Sequence, residues 1–263
     1  MYSCENPDDG DSILQMNGAL QQAQRELLSA HCATHQLRLR YSTDDLARFG
    51  RRDVLRKSAE AANALSQYYS AIENKIPATS PASESFPEVN SAQIAQGVKW
   101  LSSFLQAQRN RYFPSSGPLS NQQQARMWPY FSSTLLDKVR IVELQGARVA
   151  IPDFFAKARA LGFDNLPEIS HMDSLTFLDV VAFNEKLTER ALFHALVHTI
   201  QIEVLGLERY AELWVCSFVK TRAHFTVPLE VHAFSLASKF ARTTPEKFSV
   251  EDHVLHWVQQ ERY

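Results

Sequence analysis

Leu192-Phe193-His194-Ala195-Leu196-Val197-His198-Thr199-Ile200-Gln201 decides how the rest of this chain is read. Two histidines four residues apart, in a run that reads as a helix, leave the same face of it. Leu192, Leu196, Val197, Ile200, Ile202 and Val204 make that helix apolar nearly all round, so it is expected to be buried. Buried imidazoles need specific partners. Downstream, Glu230 stands in Val227-Pro228-Leu229-Glu230, where Pro228 starts a further helix and presents the carboxylate rigidly. Two imidazoles from one helix and a carboxylate from the next form a zinc-binding set whose fourth position stays open to water. In the motif His-Glu-x-x-His the residue after the first histidine is the general base. Here that residue is Ala195. The same three ligands also form the facial triad of non-heme iron sites, which needs no base at 195. By spacing alone, two core histidines bonded to carbonyls would fit as well.

The flanking residues carry a resemblance. Leu192, Phe193, His194, Leu196, Val197, His198 and Gln201, then Leu205-Gly206-Leu207-Glu208-Arg209, then Pro228-Leu229-Glu230, match bacterial proteins with a Leu-Phe-His-Glu-Leu-Val-His core and a Pro-Leu-Glu helix. The stretch from about residue 128 to 240 thereby resembles the zincin metallopeptidases of the gluzincin kind. That resemblance implies a zincin-like domain with zinc on His194, His198 and Glu230. Ala195 departs from the pattern and removes its catalytic glutamate, which implies a pseudopeptidase or an inactivated metallohydrolase.

The 263 residues suffice for one large domain, or one domain with an appendage, and for a sizeable core. Hydrophobic residues at 45% and charged residues at 21% are those of a globular chain. A formal net charge of -2 argues against nucleic acid or an anionic membrane as the main partner. Cys4, Cys32 and Cys216 are neither a disulfide framework nor a cysteine zinc pattern, which favours a reducing compartment. The start has no basic end or apolar run of a secretory signal, and no stretch is long enough to span a bilayer. A cytoplasmic protein is the expectation, with a peptide or small-molecule ligand whose identity the residues leave open.

Residues 12–40, 42–49 and 51–74 read as helices, giving a helical N-terminal region over 1–75. Residues 76–90, with Pro77, Pro81 and Pro87, form a linker or crossing loop. The metal-binding domain covers 91–263. Helices are expected at 91–111, at 120–127 with Ser120 as cap, and at 152–161 with Gly162 as stop. The pattern at 138–143 reads as a strand that 147–151 pairs with across Gly146, and 175–183 as a strand or strand pair. Thr188 should cap the metal-site helix and Gly206 end it. A helix then follows at 207–219, and Ser249-x-x-Asp252 opens the last one. The total is α+β and predominantly helical, with a small sheet before the metal-site helix.

His224, six residues before Glu230, sits where the resembling proteins are expected to carry tyrosine. It could stabilise an oxyanion, but the residues favour a surface-loop histidine. His232 should point to another side of its helix from Glu230, and His253 and His256 have no partner carboxylate in view. The basic run from Arg38 to Lys57 is diluted by Asp44, Asp45 and Asp53 and reads as a solvated face. Two functions outside the peptidase class stay open: an oxidative iron enzyme on the same ligands, and a non-catalytic interaction module using the N-terminal helices.

Overall fold

The computed structural model describes residues 89–263, apart from 164–165, 222–223, 225–226 and 242–246. The helices expected at 12–74, most of the linker and the basic run lie outside the described residues. The described chain runs through helix α1 (Ser91–Tyr112), strand β1 (Gly117–Pro118), helix α2 (Asn121–Met127) and helix α3 (Ser133–Lys138). Strand β2 (Arg140–Glu143), helix α4 (Phe154–Ala160), and strands β3 (Ser174–Phe177) and β4 (Val180–Phe183) follow. Helices α5 (Glu189–Leu205), α6 (Leu207–Thr221), α7 (Pro228–Phe240) and α8 (Val250–Gln259) complete it. The described part is α+β and mainly helical.

Local chemistry sets the helix ends. Asn90 with Gln93, and Ser120 with Gln123, form reciprocal capping boxes that satisfy first-turn N–H groups of α1 and α2. Thr188 accepts from the Ala191 amide at the start of α5, and Ser249 from the Asp252 amide at the start of α8. Gly206, at φ 79, ends α5 in a conformation that glycine adopts without strain.

The sheet has the order β1-β2-β4-β3, with β4 parallel to β2 and antiparallel to β3. All four residues of β4 are fully buried. Its alternate side chains enter two cores: Val181 and Phe183 join Phe193, Leu196 and Leu236, while Val180 and Ala182 join Leu105, Phe155 and Phe177. A strand covered on both faces must be continuously apolar, and Val180-Val181-Ala182-Phe183 is. Residues 175–183 therefore fold as the strand pair, turning at Leu178 (φ 60) and Asp179. Arg109 of α1 grips that turn through Nε–Oδ1 and Nη2–Oδ2 contacts of 2.8 and 2.9 Å to Asp179.

Residues 147–151 do not form the expected strand. The neighbours of β2 are β1 and β4, so the ladder has no edge left for that segment. The Asn184 side chain holds it instead: its Oδ1 accepts from the Val149 amide, and its Nδ2 donates to the Ile169 and Met172 carbonyls. Sequence patterning also passed over helix α3, capped by Ser132, and the two-residue strand β1.

Helix α5 lies between the sheet and the later helices, packing on β3, α6, α7 and α8. Ten of its seventeen residues are buried, as an all-round apolar helix requires. Among the described residues, no helix is long and apolar enough to cross a membrane.

Candidate metal centre

Helix α5 carries His194 and His198 on adjacent turns of one face, and α7 packs against that face with Glu230 in its first turn. The two Nε2 atoms stand 3.0 Å apart. Glu230 Oε2 is 3.2 Å from His198 Nε2 and 3.5 Å from His194 Nε2. Four ligands at about 2.0–2.1 Å around a tetrahedral zinc stand about 3.3 Å from one another. The three observed separations bracket that spacing, so the side chains present fit a zinc ion with little movement. Among the described residues, His194, His198 and Glu230 are the one group of three or more such side chains with ligand atoms close enough to share an ion. Glu230 and His198 are buried, while the His194 side chain keeps 18% exposure and marks the open side.

Charge at the site is set by burial against the Glu230 carboxylate. Burial pushes the Glu230 carboxyl up, but His224, His198 and His194 around it more than offset this and hold it well below the usual range. Burial lowers His194 to about 4, a drop that the Glu230 hydrogen bond only partly opposes. Burial also disfavours a charged His198, yet Glu230 and Gln201 outweigh that and raise it. At neutral pH the group thus holds an ionised Glu230 and a neutral His194, with His198 the more easily protonated of the two histidines. Three lone pairs cannot meet in so small a space, so a hydrogen on one of the two Nε2 atoms, or a metal ion, must stand between them.

The surroundings correct one expectation and add residues that sequence reasoning missed. His224 is not a surface histidine: 13% of its side chain is exposed, and its Nε2 lies 3.6 Å from Glu230 Oε1, the carboxylate oxygen facing away from the α5 histidines. His198 Nδ1 meets Gln201 Oε1 at 2.8 Å and the Tyr210 hydroxyl at 3.3 Å. Gln201, three residues after His198, was findable from helical spacing. Tyr210 and Tyr263 carried no local signal. His232 points away from the site, as expected of a residue two past Glu230, and stacks on Trp257. Glu203 pairs with Lys138 on the exposed side of α5. Ala195 is 1% exposed, and its carbonyl accepts from Thr176 Oγ1 of β3 at 3.0 Å. No protein-family model, curated protein or solved structure matches this chain.

Proposed function

We propose that this chain is a metal-binding protein of the zincin kind, holding one zinc ion through His194, His198 and Glu230 and acting poorly or not at all as a peptidase. The observation that carries the reading is the convergence of two imidazole nitrogens and a carboxylate oxygen within 3.0–3.5 Å, at zinc-like spacing. Bound zinc would supply Lewis acidity and lower the pKa of a water in the open position to about 7. The chain's own residues determine what can follow. Among the described residues Glu230 is the carboxylate that acts on both His194 and His198, and it would be committed to the ion. Ala195 offers no group to take a proton, and that help is worth on the order of 10²–10⁴ in rate.

Elemental analysis of protein purified without added metal, with a peptide-cleavage assay on the same sample, tests this. About one equivalent of zinc with little cleavage is the expected result. Iron in its place, with oxygen consumption, would move the assignment to the oxidative reading that the same ligands permit. A folded protein that holds no divalent metal would overturn the proposal in favour of an interaction module.

A further inference from the structure

We propose that Gln201 and Tyr263 are positioning residues of the metal site, part of a buried hydrogen-bonded chain that holds His198 with its Nε2 lone pair turned to the ion. The inference rests on the metal-binding reading above, but its geometry is independent of which ion binds. It begins at the Leu229 carbonyl, which can only accept. Gln201 Nε2 stands 3.0 Å from that oxygen, so the nitrogen side of the amide faces it. Oε1 therefore faces the other way, and it lies 2.8 Å from His198 Nδ1. An amide oxygen also only accepts, so Nδ1 carries the hydrogen. In the neutral ring that leaves Nε2 bare, the form a metal requires.

Tyr263 closes the outer side of the amide. Its hydroxyl lies 3.5 Å from Gln201 Nε2 and 2.6 Å from His232 Nδ1. His232 is fully buried and stacks on Trp257 with ring centroids 3.9 Å apart and planes 2° from parallel. Gln201 is also fully buried, a costly place for an amide unless its bonds are made. Leu229 precedes Glu230 in the chain, so one amide ties the backbone carrying the third ligand to the helix carrying the first two. Tyr210 shares the Nδ1 hydrogen from α6 at 3.3 Å.

The test measures zinc affinity of the full chain by competition with a chromophoric chelator, for the parent and for Gln201→Met, Gln201→Glu and Tyr263→Phe. Outer partners of a ligating histidine are worth about 10–100-fold in metal affinity, and Gln201→Met should weaken zinc binding by about that factor. Gln201→Glu restores an acceptor at Nδ1 and should bind more tightly than the Met variant. A space-filling role predicts the reverse, because methionine keeps the volume without burying a charge. Tyr263→Phe should weaken binding in the same direction by a smaller factor. In nitrogen-15 spectra of the metal-free protein, with His198 neutral, the parent should show hydrogen on Nδ1 and the Met variant a mixture of tautomers. Parent-like affinity in Gln201→Met, or tighter binding there than in Gln201→Glu, overturns the inference while leaving the metal site standing. A folded parent that binds no zinc overturns both. Should Gln201→Met fail to fold, Tyr263→Phe decides. Weaker zinc binding at an unchanged metal-free melting temperature supports the chain of bonds, and parent-like binding overturns it.

Discussion

At position 195 a buried methyl group lies on α5, one residue after His194 and three before His198. We expect Ala195→Glu to produce metal-dependent peptide hydrolysis, because a carboxylate there lies within reach of a metal-bound water in the motif it completes. The site is 1% exposed, so the added charge should cost at least about 1–3 kcal/mol in the metal-free variant and make it lean on the ion for stability. Digestion of a broad peptide mixture, read by mass spectrometry, checks this. A folded, zinc-loaded variant that cleaves no peptide would mean that the cleft itself has diverged. Metal affinity should also depend on pH in one direction. His194 is held near 4 and Glu230 well below its usual value, so above about pH 5 only the raised His198 carries a proton that zinc must displace. Affinity should be flat above the His198 value and fall about tenfold per pH unit below it. A slope of two protons would contradict the assignment. At this scale the convergence of His194, His198 and Glu230 was legible, because helical spacing and a proline-started helix both leave marks in sequence. Tyr210 and Tyr263 were not, since they reach the site only through the packing of α6, and of the chain end after α8, on α5.

Among the elements, the β3–β4 hairpin depends on a contact far along the chain. Arg109 and Asp179 are seventy residues apart and join α1 to the hairpin turn with two parallel hydrogen bonds. Asp179→Asn should destabilise the protein by up to about 1.5–3 kcal/mol, the usual worth of a hydrogen bond to a charged group. Chemical denaturation of the two proteins measures it. The Arg109 hydrogen bond outweighs burial and lowers the Asp179 carboxyl. A lowered carboxyl gives its full contribution above the unfolded value of about 4 and loses it as pH falls through the folded value. The parent's advantage over Asp179→Asn should therefore hold at neutral pH and shrink below about pH 4. An advantage that grows in acid would contradict the pairing. Helix caps at Ser120, Thr188 and Ser249 were readable because a cap is a local bargain between one side chain and its own next turn. The strand pairing of β2 was not, because a four-residue strand does not encode which neighbour occupies its edge.

For the molecule as a whole, a bound metal would couple to the fold through α5 and α7. An ion on His194, His198 and Glu230 would bridge the helix buried between the sheet and later helices to the one that packs most closely on it. Free zinc at about 100 times its dissociation constant adds roughly 2.7 kcal/mol to the native state, worth roughly 5–10 °C in melting temperature for a domain of this size. The α+β character was legible from the order of patterns, a short apolar sheet followed by a buried helix with two histidines. The two-core arrangement around β4 was visible only in its continuous apolar run. The most direct measurement is zinc titration of metal-stripped protein, followed by calorimetry and by thermal melting, for the parent and for His194→Ala, His198→Ala and Glu230→Ala. The account predicts one zinc per chain and the rise in melting temperature for the parent, with both lost in each variant. A folded parent that takes up no zinc, or a His198→Ala variant that binds it as tightly as the parent, would contradict the account.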